Sequence, residues 1–501
     1  MKPHLLYPER DFDGQGELPD WAADLSEDLG LEAVWSAMSG GDRFLWDAAR
    51  RVILDSRQST EEIDYRQEVA QDFLAHPEAL EQLYRVAVDA VESERRIWGL
   101  SGRHPAGALH HGVEVLSVLM PAARRLRDLG EGMRVNWMSR GLTAFADSLR
   151  RDLSDDYLDL TDSLLSALRL ESGALFGAAL GVGGGGSGYL LLRPSTRKVP
   201  LGERLGVRER SRHAFTVDPR DESGLRALGN LADRGLAGVA RSVSQAADHV
   251  LAYFRSLRFE LGFYLGCLNL HRALAGQRLP TCWPRLEPAD QLRQFARGLY
   301  DITLPLRDGI LPVGNDLDAD GCPLLVITGA NSGGKSTFLR GLALAQLLAQ
   351  AGMFVGAREF ASSVATSIHT HFVRPEDESM SRGRLADELE RMSKTADQVA
   401  AGGLVVMNES FSSTNELEGS EIARQVTTAL LESGVRVAIV THFFELACAL
   451  LAAPPQPAVF LRAERLPDGR RTYRLLKGEP LATAFGSDLL KTVDLMGGAR
   501  G

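Results

Sequence analysis

The residues best suited to chemistry in this sequence lie in one glycine-rich run, residues 328–337, which reads TGANSGGKST. An apolar run at residues 324–327 precedes it, and a helical pattern of apolar residues follows it. Strand, glycine loop and helix in this order are the context of a phosphate-binding loop. Glycines let successive backbone N–H groups turn toward phosphate oxygens, and the helix N-terminus adds partial positive charge. The pattern therefore predicts a site for a nucleoside triphosphate.

Individual residues of this loop have expected roles. The Lys335 ammonium is expected to reach the β- and γ-phosphates, and the Ser336 hydroxyl is expected to bind Mg²⁺. The predicted cofactors are therefore ATP and Mg²⁺. The residues predicted to contact the nucleotide are Gly329, Asn331, Gly333, Gly334, Lys335, Ser336 and Thr337.

A second pair of polar residues comes directly after the predicted buried strand at residues 404–407. Asn408 and Glu409 follow it, where ATPases of the ABC class place an Asp that supports Mg²⁺ and a Glu that orients the attacking water. Asn408 offers Mg²⁺ a carbonyl oxygen without negative charge, and Glu409 stays available to polarise water. The next predicted strand, at residues 435–440, is followed by Thr441 and His442. Glu409 and His442 are the predicted catalytic residues, with a structural role for His442 as the alternative.

These residues resemble the motifs of the MutS mismatch-repair ATPases. The loop matches that family's pattern TGxNxGGKST, and residues 351–357 and 441–446 match two further motifs. Upstream, residues 47–90 resemble the family's core helices, and residues 257–268 resemble its lever helix. The resemblance implies an ATPase that dimerises through composite nucleotide sites and binds DNA in repair or recombination.

The sequence departs from the family's pattern at several places. It opens in what resembles the lever, so we expect the N-terminal mismatch-reading domain and the long clamp to be missing. Asn408 stands where the family has Asp. The signature loop that reaches the partner's nucleotide usually carries Ser-Thr, and its best match here is Gly383-Arg384. A contact from this loop to a partner subunit is therefore an open question.

The elements that must position these residues divide the chain into two halves. Residues 1–20 are predicted to form an extended lead-in, and residues 21–279 are predicted to form a mainly α-helical core and lever domain. Residues 280–501 alternate strand and helix patterns, which favours an α/β P-loop ATPase domain of the ABC class with a mostly parallel sheet. In the helical half, apolar residues that step by four and three predict a helix packed along another. They are Val250, Phe254, Leu257, Leu261, Tyr264 and Leu268.

Residues 174–220 differ from the helical pattern around them. Two short apolar runs around glycines predict a small β-hairpin insertion. From residue 193 to residue 220, eight Lys or Arg stand against three Asp or Glu, in a chain of net charge −10. We expect this stretch to contact DNA, with a solvated connector as the alternative. The arginines chosen for that contact are Arg204, Arg208, Arg210 and Arg212.

The amino-acid composition narrows the classes of protein to which this chain can belong. A chain of 501 residues with 44% hydrophobic and 24% charged residues is typical of a multidomain soluble protein. No apolar run approaches the roughly 18–20 residues that span a bilayer, so no membrane partner is predicted. The four cysteines lack the spacing of a zinc site or a disulfide framework, and the cytoplasm is the expected location.

Two functional hypotheses follow. The first is the MutS-like ATPase that dimerises and binds DNA, which the family resemblance and the basic stretch favour. The second is a weakly hydrolysing, nucleotide-gated scaffold whose partner is a protein. Asn408, Arg384 and the acidic net charge favour the second, because binding to nucleic acid depends on many Lys and Arg contacts to phosphate.

Overall fold

The computed structural model describes most of the chain. The described residues are 2–14, 16–55, 59–97, 104–133, 137–171, 173–181, 183, 186–193, 216–374 and 383–481. The four arginines proposed for DNA contact lie outside them: Arg204, Arg208, Arg210 and Arg212. Within these ranges, no helix has the length and apolar character needed to cross a membrane.

The first half of the chain is helical, as predicted. Its helices are α1 (Ala22–Leu29), α2 (Leu31–Ser39), α3 (Arg43–Leu54), α4 (Thr60–Ala75), α5 (Pro77–Arg95), α6 (Pro105–Met133), α7 (Arg140–Asp152), α8 (Asp155–Leu168) and α9 (Glu222–Gly276). Several of them begin at a side chain that caps the open N–H groups of the first turn. The Asp42 carboxylate accepts from the Phe44 N–H at 2.7 Å at the start of α3. Ser59 and Ser154 cap α4 and α8 in the same way.

Helix α9 carries the predicted apolar seam. Phe254, Leu257, Leu261 and Tyr264 are fully buried. The Tyr264 ring lies 5.4 Å from the ring of Phe73 on α4, so this part of α9 packs against another helix. The predicted seam is confirmed in this part of the helix.

The predicted hairpin is present between α8 and α9. Strands β1 (Leu175–Leu180) and β2 (Gly186–Leu192) pair antiparallel, with Leu175 opposite Leu192. The ring of Phe176 lies against Gly235 of α9, where an added Cβ would overlap it. A glycine at this position lets the hairpin approach the helix closely.

The second half of the chain alternates strands and helices. Its strands are β3 (Arg285–Glu287), β4 (Gln294–Leu299), β5 (Asn315–Asp318), β6 (Leu324–Gly329), β7 (Glu359–Ser363), β8 (Ile368–Phe372), β9 (Leu404–Asn408), β10 (Arg436–Val440), β11 (Ala458–Arg465) and β12 (Arg471–Lys477). Its helices are α10 (Thr303–Arg307), α11 (Lys335–Gln350), α12 (Arg384–Gln398), α13 (Glu416–Glu432) and α14 (Phe444–Ala452).

The strands form two sheets. The larger has the order β12-β11-β6-β10-β9-β8, and every neighbouring pair is parallel except β11 with β12. The smaller has the order β3-β7-β4-β5. Because β6, β10 and β9 are parallel neighbours, their carboxyl ends meet at one edge of the sheet. The three polar motifs predicted to act on a nucleotide follow these three strands.

Helices cover both faces of the larger sheet. One face packs on α12, α13 and α14 in a core that includes Met407, Ile439 and Leu446. Helix α11 contacts strands of both sheets, and its residues from Phe338 to Gln350 are almost all buried. Because this helix is covered on most sides, apolar residues occur around most of its circumference. Its buried polar residues Gln346 and Gln350 are hydrogen-bonded to each other.

The chain forms two compact units. One contains residues 1–3, 81–137 and 143–258, and the other contains residues 4–80, 138–142 and 259–501. The division falls within α5, α7 and α9, and also between residues 3 and 4 and between residues 137 and 138. The second unit therefore includes residues of the helical half, and the domain boundary at residue 280 stays a prediction.

Arg66 of α4 connects several parts of the second unit. It is 1% exposed. Its Nε donates to the carbonyl oxygen of Leu6 at 3.0 Å, and its NH1 donates to that of Ala351 at 3.4 Å. Ala351 directly follows α11, and Gly352 lies against the Cβ of Arg66. The end of the helix that follows the glycine loop is thus held by a buried guanidinium.

We expect Gly352→Ala to destabilise the protein more than Gly309→Ala. Both glycines have a left-handed backbone, with φ of 76° and 65°, so each alanine costs roughly 1–2 kcal/mol. Only at Gly352 would the new Cβ overlap Arg66, whereas nothing lies within 4 Å of the new Cβ at Gly309. The overlap should add about 1–3 kcal/mol. Urea denaturation of both variants measures the difference, and equal midpoints would contradict this account.

Candidate nucleotide-binding and hydrolysis site

The glycine loop between β6 and α11 has the backbone of a phosphate cradle. Gly329, Ser332 and Gly334 have left-handed φ values of 107°, 56° and 88°. A Cβ at Gly333 would lie 2.7 Å from the Cβ of Ala463 and 2.8 Å from the oxygen of Ala330, so only glycine fits there. Alternating handedness turns successive N–H groups to one side, where they can bind an anion.

Lys335 is held over this loop. Its Nζ donates to the carbonyl oxygens of Gly329 at 2.9 Å and Ala330 at 3.2 Å. The residue is 4% exposed, and burial lowers the pKa of its ammonium group while the carboxylate of Glu409 opposes that shift. The lysine is the first residue of α11, which places its positive charge at the helix end where an anion binds.

Ser336 and Asn408 form the predicted metal-binding pair. The Ser336 hydroxyl donates to the Asn408 Oδ1 at 2.8 Å, which joins α11 to the end of β9. Both groups offer neutral oxygen atoms, which are suitable ligands for Mg²⁺. Among the described residues, no group of three His, Cys, Asp or Glu side chains is placed to hold a metal ion. The Ser336 hydroxyl and the Asn408 amide would themselves contribute no negative charge to a bound Mg²⁺ ion.

Glu409 and His442 face the loop from the neighbouring strands. The Glu409 N–H donates to the Val440 carbonyl oxygen at 2.9 Å, and the Thr441 N–H donates to that of Ile327 at 3.1 Å. The His442 Nδ1 lies 4.0 Å from the Glu409 Oε2, and each side chain is 37% exposed. At that separation the two groups share no direct hydrogen bond, and both remain able to contact a ligand.

The predicted catalytic residues and all of the predicted nucleotide-contacting residues except Gly329 line one cavity. It has a volume of about 400 Å³ and is bounded by Glu409, His442 and the glycine loop from Asn331 to Thr337. Gly329 lies at the end of β6, where its carbonyl oxygen accepts from the Lys335 Nζ. The structure thus brings together residues that lie up to 111 positions apart in the sequence. Their chemical roles remain predictions.

A second cavity, which the sequence did not predict, adjoins the glycine loop. Its volume is about 410 Å³. It shares Ser332, Gly334 and Thr337 with the phosphate side, and the rest of its lining is mainly apolar. The apolar and aromatic residues are Leu299, Tyr300, Leu304, Ile310, Leu311, Pro312, Val313, Phe338 and Tyr473. A flat, largely apolar ring such as a purine base fits this chemistry and position.

Residues of β12 also support the site, although no pattern in the sequence predicted this strand. Tyr473 has a left-handed φ of 59°, and Asn315 holds it by donating to its carbonyl oxygen at 3.1 Å. The Arg471 Nε donates to the Asn331 carbonyl oxygen in the glycine loop at 3.2 Å. The apolar run from Ile310 to Val313, just before β5, was the signal available in the sequence for the second cavity, and the structure shows that Ile310, Leu311 and Val313 are exposed.

The remaining predicted residues lie elsewhere. Gly383 is the N-cap of α12, and Arg384 is the first residue of that helix; both are exposed. Neither lines the phosphate cavity of the same chain.

Two family models match this chain. Residues 58–277 match the MutS2 N-terminal domain, and residues 325–474 match MutS domain V. The chain belongs to the MutS family. The domain V match covers the glycine loop, Glu409, His442 and most of β12, so the candidate site lies within the part of the chain that matches this family domain.

Individual relatives carry the same family name. The chain is 28% identical over 312 residues to the DNA mismatch repair protein MutS of Thermus thermophilus, which is 62% of this chain and 37% of that protein. It is 30% identical over 222 residues to MutS of Thermus aquaticus, or 44% of this chain and 26% of that protein. It is 31% identical over 158 residues to Endonuclease MutS2 of Thermomicrobium roseum, or 31% and 20%. The chain spans well under half the length of these MutS-family relatives.

We expect Leu311→Ser to weaken ATP binding. Leu311 is 68% exposed, so the change should not unfold the protein, but it removes apolar area from the second cavity. Losing about 1–2 kcal/mol of apolar contact corresponds to a roughly 5- to 30-fold higher Kd. Leu417→Ser is the matched control, because Leu417 is 67% exposed and lies outside this cavity.

Calorimetric titration with ATP and with inorganic triphosphate checks this assignment. Only ATP should bind the Leu311→Ser variant more weakly, because triphosphate has no base. Equal losses for both ligands, or the same loss in the Leu417→Ser control, would place the base elsewhere.

Proposed function

We propose that this MutS-family protein binds ATP with Mg²⁺ and hydrolyses it, and that it binds DNA as a dimer. The observation that supports the enzymatic part is the single cavity shared by the glycine loop, Glu409 and His442. A triphosphate whose γ-phosphate lies at Lys335 would have Glu409 and His442 on its open side. That arrangement suits the attack of water on the γ-phosphate.

Each residue has a distinct task in this proposal. The loop N–H groups and Lys335 bind phosphate oxygens and hold the chain of phosphates in line. The Glu409 carboxylate accepts a proton from the attacking water and orients it. His442 donates a hydrogen bond to the γ-phosphate or to that water. When bound, Mg²⁺ neutralises charge that develops on the phosphates.

Asn408 should make turnover slow. A carboxylate at this position would add a negative ligand for Mg²⁺, and the amide contributes only a dipole. Its hydrogen bond from Ser336 keeps the geometry of the pair. The presence of Asn408 where the family has Asp is the observation that favours the second hypothesis. In that hypothesis the protein is a nucleotide-gated scaffold that hydrolyses ATP weakly and acts on a protein partner.

We expect Glu409→Gln to bind ATP but to lose turnover by roughly a hundredfold or more. The amide keeps the shape of the side chain and removes its basicity, and a general base contributes about 10²–10⁴. Phosphate release measured at saturating ATP checks this. Turnover within about twofold of the parent protein would overturn the role of Glu409.

Lys335→Ala tests ATP binding directly, in a calorimetric titration with ATP. The ammonium offsets phosphate charge directly over the loop, so its loss should weaken ATP binding strongly. An unchanged Kd in this variant would refute the assignment of the loop, whatever the result for Glu409→Gln.

The proposal for partners rests on the family and on the basic stretch. A γ-phosphate at this site would remain open on one side until a second subunit covered it, and two such sites closed symmetrically give a two-fold dimer. Sedimentation with and without ATP tests that step. For DNA, residues 193–220 have the clear positive excess that phosphate contacts require.

We expect DNA affinity to depend on four arginines of this stretch. The variant replaces Arg204, Arg208, Arg210 and Arg212 with Ser together. Each lost phosphate contact should flatten the plot of log affinity against log salt by about 0.9. Two exposed arginines of α7, Arg150 and Arg151, replaced with Ser give the control.

Titrations of duplex, branched and single-stranded DNA with ATP present measure these slopes. Unchanged affinity and slope in the fourfold variant would move the DNA contact elsewhere. If the parent protein binds none of these DNAs at low salt, the scaffold hypothesis replaces this one.

A further inference from the structure

The loop that carries Glu409 has a strained backbone. Glu409 and Phe411 have left-handed φ values of 53° and 64°, although neither is glycine. Such a conformation is strained for a residue with a Cβ, and it persists only where surrounding contacts hold it. The contacts that hold this loop therefore decide where the Glu409 carboxylate points.

Two buried residues from neighbouring elements supply these contacts. The Phe411 N–H donates to the Glu388 Oε2 on α12. The Ser410 hydroxyl lies 2.7 Å from the His371 Nδ1 on β8 and 2.9 Å from the carbonyl oxygen of the same residue. The His371 Nε2 lies 3.0 Å from the Glu388 carbonyl oxygen, which closes the network.

The hydrogen positions follow from these partners. Burial lowers the pKa of His371 to about 4, so its imidazole is neutral at pH 7. A carbonyl oxygen only accepts, so the Nε2 carries the hydrogen that is donated to Glu388. The Nδ1 is then an acceptor, as is the His371 carbonyl oxygen, and the single hydroxyl hydrogen of Ser410 is donated to one of these two atoms. The backbone on both sides of Ser410 is thus fixed by α12 and β8.

The network excludes solvent. His371 and Phe411 are fully buried, Ser410 is 4% exposed and Glu388 is 7% exposed. Burial raises the pKa of the Glu388 carboxyl, and the Ser413 side chain, the Phe411 N–H and the Arg391 guanidinium oppose that shift. A hydrogen bond made away from water is costly to leave unmade, so losing one partner should release the loop.

We propose that Glu388 and His371 are positioning residues that hold Glu409 toward the γ-phosphate. This inference rests on the proposed hydrolytic role of Glu409. Neither residue lines the phosphate cavity, so each acts through the loop and not on the nucleotide. Helix α12 begins at the exposed Arg384, four residues before Glu388. A shift of this helix would therefore reach Glu409 through one hydrogen bond.

Three variants at one position test the proposal. Glu388→Ala removes the acceptor, and Glu388→Asp keeps the charge but is too short by one methylene to reach the Phe411 N–H. Both should lower kcat at least tenfold while the Kd for ATP changes less than threefold. Glu388→Gln keeps an acceptor oxygen at the same reach and should restore kcat to within about threefold. Glu390→Ala on the same helix, whose pair with Lys394 is exposed, is the control.

A double variant separates positioning from general damage. If Glu388 acts only through Glu409, then Glu388→Ala combined with Glu409→Gln should be no slower than Glu409→Gln alone, within about twofold. A purely structural role would lower turnover further in the double variant. Circular dichroism and thermal melting confirm that each variant is folded, and Glu388→Asp carries the test if Glu388→Ala is not.

The outcomes distinguish this inference from the proposed function. A slow Glu409→Gln together with normal kcat in both Glu388→Ala and Glu388→Asp would overturn the inference alone. A multiplicative loss in the double variant would also overturn it. A parent protein without ATPase activity, or a fully active Glu409→Gln, would refute the proposed function and this inference with it.

Discussion

The parallel alignment of β6, β10 and β9 is the constraint on which the site depends. Parallel neighbours end at the same edge of a sheet, so the glycine loop, His442 and Glu409 meet there although each comes from a different part of the chain. Helix α11 fixes the first of these groups, because it is buried along its length against strands of both sheets. The site is therefore built on regular elements, and side chains from other elements support its loops, with Arg471 bonded to the glycine loop and Glu388 bonded to the loop after β9.

The sequence was informative where function requires a local pattern. The glycine loop could be predicted because its backbone conformation and its charge both depend on residues that are adjacent in the chain. Glu409 and His442 could be predicted because each follows a run of apolar residues long enough for a buried strand. The neutral Asn408 was also visible, and the structure adds that its oxygen accepts from Ser336.

Other parts depend on contacts between distant residues, and no local pattern reports them. The smaller sheet pairs β3 with β7 and β4 with β5, and its short strands have weak alternation. Tyr473 reaches the second cavity from 139 positions beyond Gly334 in the chain. His371 and Glu388 have ordinary neighbours in sequence, and their importance follows only from the hydrogen bonds they make across the fold.

Helix α11 also couples the movement of the glycine loop to that of α4 within the second compact unit. It has 16 residues, so it is about 24 Å long, and its internal hydrogen bonds resist compression along that axis. Its first residue, Lys335, lies at the phosphate cradle, and the chain just beyond its last residue is held by Arg66 of α4. A helix held at both ends transmits a displacement along its axis with little change in its length. The cradle and α4 therefore cannot move independently, and any axial displacement at one end must appear at the other.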